Sequence, residues 1–265
     1  MQPLVSIVTV SLNAGATIAD ALASVAQQAV DFDIEHICVD GGSRDGTREV
    51  IDRWAERSGR ITRVYEPDSG IFDAMNKGLR AARGEYVLFL NADDFLVSRL
   101  TLKAALDGVS AGACDNPDLV TGHVSMGLIG SSGLWRHRRV PRLLGRLPGL
   151  FPIHQGQIVK RALLMQLGGF DSRLRLASDV TLYYDLERRF RLKLRRLDAD
   201  VTFMRAGGAA NAGLGAMLLG SMEIYRHLAP IHGAAKAFTM VCVKSLQSLL
   251  ELRYGKCPHE RWFLT

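Results

Sequence analysis

The 265-residue sequence is short of cysteine, aromatic residues and long apolar runs, and each shortage excludes something. Its four cysteines, Cys38, Cys114, Cys242 and Cys257, are scattered without Cys-x-x-Cys spacing. That argues against a zinc site and a disulfide framework and fits a reducing, cytoplasmic compartment. An aromatic content of 7% offers no stacking platform for single-stranded nucleic acid. The most apolar late stretch, Ala234 to Leu252, is interrupted by Lys236, Lys244, Gln247 and Glu251. It therefore lacks the run of about 20 apolar residues that a membrane-crossing helix requires. No leader peptide is legible, because apolar Leu4 to Leu12 has no basic segment before it and runs straight into a polar turn. There are no internal repeats, no Gly-x-Gly-x-x-Gly, and no Gly-Lys-Ser/Thr of a phosphate-binding loop.

What is present is a chain 48% hydrophobic, enough to bury the core of one larger domain with an appendage. The formal charge of +6 is concentrated in two groups, Arg136 to Arg146 and Arg188 to Arg196. Such groups fit phosphate-bearing ligands or an anionic membrane surface, and equally fit solvated faces that keep the protein soluble. In the first 120 residues, apolar runs at Val5 to Ser11, Ile34 to Val39, Ile61 to Tyr65 and Tyr86 to Leu90 read as strands. Between them Ile18, Leu22 and Val25, then Val50, Ile51 and Trp54, then Met75, Leu79 and Ala82 recur at helical spacing. The fold class is therefore α/β, with a doubly wound, mostly parallel sheet flanked by helices. Later segments read as short β structure from Val120 to Leu134, a basic loop from Arg136 to Pro152, and a helix from Ile158 to Leu167 ended by Gly168 and Gly169. Further helices are expected over Ser178 to Phe190, Leu214 to Leu228 and Ala234 to Tyr254; the last lies on a membrane surface or packs against the core.

Ligands of doubly wound sheets bind at the carboxyl ends of the strands. Here those ends carry Asn13, Asp40, Glu66 with Asp68, and Asn91 with Asp93 and Asp94. Each acid alone could cap a following helix, but four such ends in succession fit one acidic edge better. Asp40 opens a glycine-rich strand-to-helix turn, Asp40-Gly41-Gly42-Ser43-Arg44-Asp45-Gly46-Thr47, of the kind that lets a ligand approach backbone. Asn91-Ala92-Asp93-Asp94 carries close-set carboxylates without Cys or His. These suit a hard divalent cation, Mg²⁺ or Mn²⁺, that completes its shell with diphosphate oxygens; a cap at Asp94 beside a solvated Asp93 is the alternative. Lys77 either meets a phosphate or pairs with Asp73 at i,i+4.

Val39 to Ser43, then Glu66 to Gly78, then Gly84-Glu85-Tyr86 leading into Asn91-Ala92-Asp93-Asp94, resemble in order and spacing the family 2 glycosyltransferases with the GT-A fold. The resemblance covers about residues 4 to 210. It implies inverting transfer of a sugar from a nucleoside diphosphate sugar to an acceptor hydroxyl, with a divalent metal, Mn²⁺ or Mg²⁺. It also implies a glycosyltransferase domain over 1–212, with a nucleotide-sugar-binding half at 1–120 and an acceptor-binding half at 121–212, followed by a helical extension over 213–265.

By the same resemblance Asp40 contacts the nucleobase, Asp68 and Glu66 belong to the nucleoside pocket, and Asn13, Asn76, Lys77 and Ala92 line the donor side. Asp93 matches the key acid of the family's Asp-x-Asp metal motif, with Asn91 in the place of the first acid and Asp94 as a second candidate ligand. Asp179 matches the general base, a role competing with that of a helix N-cap. His154 and Gln155, and Gly207 and Gly208, match elements on the acceptor or phosphate side, against plainer readings as a satisfied histidine and a turn. A sugar nucleotidyltransferase is disfavoured because Ser11-Leu12-Asn13-Ala14-Gly15 replaces its basic phosphate loop. A catalytically inactive membrane- or nucleic-acid-binding module is disfavoured by Asp93, Asp94 and Asp179. The basic segments point to a saccharide or lipid-linked acceptor and peripheral contact with the inner face of the cell membrane, with no nucleic-acid partner.

Overall fold

Every residue of β1 (Val5–Ser11) is buried, as required of a strand that has neighbours on both edges and helices on both faces. It pairs in parallel with β2 (Ile34–Asp40) and β4 (Tyr86–Phe89), and β2 pairs in parallel with β3 (Ile61–Tyr65). The computed structural model describes residues 2–109, 116–127, 135–138, 154–205 and 214–250. Within them β5 (Phe95–Leu96), β6 (Leu119–Gly127), β7 (Trp135–Arg138), β8 (Gln157–Lys160) and β9 (Leu194–Arg205) extend the sheet. Its strand order is β3-β2-β1-β4-β8-β6-β9-β5, with β7 paired to β6. The β3-β2-β1-β4 run is the expected parallel half; β8 is antiparallel to both β4 and β6, and β6 and β9 are parallel.

Alternate strand residues supply two cores, one on each face of the sheet. On one face Val8, Val39 and Phe89 pack with Phe72, Met75 and Leu79 of α3 (Ile71–Ala81), Leu164 of α5 (Arg161–Leu167) and Leu182 and Leu186 of α6 (Ser178–Arg189). On the other, Ile7 and Leu88 meet α1 (Ile18–Ala26) and α4 (Thr101–Leu106), and Cys38 meets α1 and Ile51 of α2 (Thr47–Ser58). The apolar positions singled out at helical spacing are the ones that reach the sheet. Gly78 lets α3 lie close on it: a Cβ there would fall 2.2 Å from Val8 Cγ1 and 3.3 Å from Val39 Cγ2. In the parallel half of the sheet Ser6 Oγ donates to Glu35 at 2.7 Å and Thr9 Oγ1 lies 2.9 Å from His36 Nε2.

Two local expectations are corrected. Ile158–Lys160 belong to a strand, β8, because they are captured between β4 and β6; only Arg161 onward is helix. Arg136 and Arg138 lie in β7 instead of a loop, paired with β6, while 139–153 fall outside the described residues. The tail forms α7 (Leu214–His232) and α8 (Ala234–Leu250), joined at Gly233 with φ +81°. Ala237 and Met240 of α8 and Ile224 and Leu228 of α7 pack on Ala177 and the start of α6, whereas Leu214, Leu218, Met222 and Phe238 stay exposed. Among the described residues no helix is long and apolar enough to cross a membrane.

Candidate active site

The parallel register sets Ser11 opposite Asp40 and Asp40 opposite Tyr65, so the carboxyl ends of β1, β2 and β3 stand level. Beyond this edge lies a cleft of about 450 Å³, lined among others by Asn13, Asp68, Asn91, Ala92 and Asp93. Its wall is braced by two loops bonded to each other. Asn13 adopts φ 52°, a left-handed conformation that asparagine tolerates better than most side chains. Its N–H donates to Ser43 Oγ at 2.7 Å and its Oδ1 accepts the Arg44 N–H at 2.9 Å. Ala14 N–H donates to Thr47 Oγ1, and Gly15 N–H to Asp45 Oδ2.

Asp40 is fully buried beneath this brace. It accepts the N–H groups of Gly42 and Ser43, the hydroxyls of Ser11 and Ser43, and Arg48 Nε at 2.6 Å. Burial alone would raise its carboxyl; the bonds from Ser43, Arg48 and Gly42 outweigh burial and hold it below the usual range. A carboxylate has about four lone-pair sites, and here they are all taken. Asp40 therefore shapes the loop, where the resemblance implied direct contact with a nucleobase. Arg48, which also lies over the Tyr65 ring with Cζ 4.9 Å from its centroid, was not anticipated although it sits in the same turn-and-helix segment. Gly41 answers to close approach: a Cβ would fall 1.9 Å from Asp68 Oδ2.

On α3, Asn76 is spent on structure. Its amide donates to Phe170 O at 2.7 Å and accepts the Phe170 N–H at 2.8 Å. Lys77 Nζ bonds Pro67 O and pairs with Asp73 at 3.4 Å. Neither is among the residues that line the cleft, although the resemblance implied that they face sugar and phosphate. Glu66 is exposed and likewise outside the lining.

No helix follows Asp93 and Asp94; the chain turns, with Asp94 N–H donating to Asn91 O, and enters β5, so the capping alternative falls. The two acids face different ways. Asp93 lines the cleft, while Asp94 is 2% exposed and accepts Gln155 Nε2 at 3.4 Å and Arg205 N–H at 3.2 Å. Burial, then the neighbouring Asp93, raises the Asp94 carboxyl well above its ordinary value. Asp94 thus braces neighbouring elements, where the resemblance implied a second metal ligand. Asn91 also lines the cleft, and its Oδ1 is buried without a partner. Among the described residues no three His, Cys, Asp or Glu side chains converge on a metal position. The hard oxygens of Asp93 and Asn91 nonetheless fit Mg²⁺ or Mn²⁺, which typically take one or two carboxylates and draw the rest from phosphates and water.

Gln155 leads to the second acid. His154 opens a 3₁₀ turn, His154–Gly156, and its Nδ1 lies 3.0 Å from Asp179 Oδ2. The contacts Asp94–Gln155 and His154–Asp179 thus run from the end of β4 to the start of α6. Asp179 is not the N-cap: Ala177 holds that place, and Asp179 sits inside the first turn, its Oδ1 accepting the Val180 N–H. Burial would raise the Asp179 carboxyl; the His154 bond leads the effects that hold it below the usual range. His154 is 7% exposed and its Nε2 has no partner. Gly207 and Gly208 lie outside the described residues. Also unanticipated is Arg205 at the end of β9, whose Nη2 reaches Asp20 of α1, a pairing across 185 residues that no local pattern announces.

Residues 6–161 match the sequence profile described as glycosyl transferase family 2. A PGL/p-HBAD biosynthesis glycosyltransferase of Mycobacterium bovis BCG is 38% identical over 125 residues, 47% of this chain and 48% of the relative. The putative teichuronic acid biosynthesis glycosyltransferase TuaG of Bacillus subtilis is 44% identical over 94 residues, 35% of this chain and 37% of the relative. The chain thus spans about half, or less, of the length of these curated relatives. Among solved structures, S. aureus TarS 1–349 superposes with a TM-score of 0.63 at 21% identity, covering 93% of this chain and 72% of that one. The mannosyltransferase PcManGT of Pyrobaculum calidifontis, solved with GDP-Man and Mn²⁺, gives 0.60 at 21% identity, covering 97% and 77%. These likenesses bear out the expected α/β GT-A architecture.

Proposed function

Because the chain belongs to glycosyl transferase family 2, we propose that it moves a sugar from a nucleoside diphosphate sugar to an acceptor hydroxyl, with inversion, in polysaccharide or glycolipid assembly. The observation that carries this reading is the strand-edge cleft with Asp93 facing into it, next to Asp94, whose partner Gln155 adjoins His154 and through it the buried carboxylate of Asp179. The relatives named for glycolipid and teichuronic acid synthesis, and the neighbour solved with GDP-Man and Mn²⁺, agree with it.

Asn13, Asp68 and the braced loop receive the nucleoside. Asp93 and Asn91 Oδ1 would hold Mg²⁺ or Mn²⁺, whose charge, when bound, neutralises the departing diphosphate. Asp179 Oδ2 accepts the acceptor's proton as its hydroxyl attacks the anomeric carbon. His154 Nδ1 keeps that carboxyl ionised and oriented, and the neighbouring buried side chains exclude water. Positioning and charge neutralisation supply most of the acceleration. The exposed Leu214, Leu218, Met222 and Phe238, near Lys236, favour contact with an anionic membrane face where a lipid-linked acceptor would lie. On this reading the enzyme works at the cytoplasmic side as a peripheral protein.

The test is thermal unfolding with UDP and GDP, each with and without Mn²⁺, in the wild type and in Asp93→Ala. At one hundred times its dissociation constant a ligand adds about 2.7 kcal/mol, a readily measured shift. A rise in melting temperature that needs Mn²⁺ and disappears in Asp93→Ala is expected. No response to either nucleotide, or full response in Asp93→Ala, refutes the reading.

A further inference from the structure

We propose that Glu223, on α7, is the positioning residue of the acceptor side: it holds the chain segment that presents Asp179. This rests on the reading of Asp179 as the base. The first turn of α6 leaves backbone N–H groups without helical partners, and Ala177, its N-cap, offers no side-chain acceptor. Glu223 supplies one from another part of the fold, to the N-cap Ala177 and to the two residues that lead into the helix. Its Oε1 accepts the Arg175 N–H at 2.8 Å, and its Oε2 accepts the N–H groups of Leu176 and Ala177, each at 3.0 Å.

Glu223 is 6% exposed, and a buried carboxylate is tolerated only when its oxygens are bonded. Here all three bonds go to one tripeptide ending two residues before Asp179. Ile224 and Leu228, on the same helix, pack against Ala177. The base is thus held from two sides, by His154 at its carboxyl and by Glu223 at its backbone. The C-terminal helices become part of the acceptor site instead of an appendage to it. A misplacement of about 1 Å at a reacting group can cost on the order of 10²-fold in rate.

The test compares wild type, Glu223→Gln, Glu223→Ala and, as a control that lowers stability on the other face of the sheet, Leu102→Ala. Two readouts are taken. One is the NMR titration of the His154 imidazole, which reports where the Asp179 carboxylate lies. The other is release of nucleoside diphosphate from UDP-glucose, UDP-N-acetylglucosamine and GDP-mannose. Glu223→Ala should move the His154 titration and lower turnover at least tenfold with UDP or GDP binding unchanged, Glu223→Gln should fall between it and wild type, and Leu102→Ala should lower only the melting temperature. An unmoved His154 titration in Glu223→Ala, or an equal movement in Leu102→Ala, overturns the proposal. A wild type that turns over no donor while the titration moves as expected sinks the transfer reading and leaves the positioning role standing.

Discussion

Replacing Gly78 by alanine sets two effects of opposite sign against each other, and the structure decides between them. In an exposed helix interior the change would stabilise by about 0.8–1.0 kcal/mol through helix propensity. Here the new Cβ would lie 2.2 Å from Val8 Cγ1, against the 3.5–4.0 Å typical of carbon atoms in contact. Val8 cannot turn away: it is β-branched, fully buried, and on a strand bonded along both edges. The helix must therefore lift, loosening Met75 and Leu79. Overpacking of this kind costs about 1–3 kcal/mol, and more when the overlap exceeds an ångström. The net expectation is a loss of about 1–2 kcal/mol. Urea unfolding of wild type, Gly78→Ala, Val8→Ala and the double variant tests it. Val8→Ala alone should cost about 2 kcal/mol by leaving a cavity. The double variant should be more stable than the sum of the two losses by at least about 1 kcal/mol. A Gly78→Ala protein as stable as wild type, or strictly additive losses, refutes the reasoning. Since Ile71 and Ala74 of the same helix line the cleft, UDP and GDP affinity should weaken in parallel with stability.

His154→Ala removes the leading bond that keeps the buried Asp179 ionised, so burial prevails and the acidic limb of the transfer rate moves to higher pH; an unmoved limb would show that His154 does not tune the base. Asp94→Asn should leave Mn²⁺-dependent UDP or GDP binding nearly intact by calorimetry, whereas Asp93→Asn should abolish it, and the reverse order would restore Asp94 as the ligand. Burial pushes the His36 imidazole down to about 4, against about 6.5 unfolded, so the folded chain refuses a proton that the unfolded chain takes. Stability is full above pH 6.5 and falls by up to about 3 kcal/mol as pH drops towards 4. In His36→Gln that slope should vanish when denaturation is compared at pH 7 and 4.5. Asn13→Ala should cost about 1–2 kcal/mol, and Asn13→Gly less, because only the alanine has to hold a left-handed backbone as well as lose the bond to Arg44.

The parallel half of the sheet was legible because its strands are unbroken apolar runs ended by turn residues, and its helices carry apolar residues at helical spacing. Ile158–Lys160 were not, since three apolar residues ahead of a helix fit either period, and pairing with β4 and β6 made the choice. Arg195, Arg196, Asp198 and Asp200 make the first half of β9 polar, which hides that its pairing with β6 begins as early as Leu194. At the site, residue type pointed to Asp93 and the family resemblance to Asp179, but neither pointed to the direction in which neighbouring acids face. Asp93 and Asp94 are adjacent, yet the turn after β4 sends one to the cleft and the other to Gln155. Nor could a pattern in the chain reveal Glu223, whose partners lie nearly fifty residues earlier.

The clasp between the loops after β1 and β2 bears on turnover. Asn13 with Arg44, Ala14 with Thr47, and Gly15 with Asp45 hold the nucleoside wall in shape before anything arrives, so little ordering entropy is lost on binding. A wall of that kind grips the nucleoside of intact donor and of spent diphosphate alike. Strong product inhibition is therefore expected, with release of the nucleoside diphosphate limiting the steady-state rate.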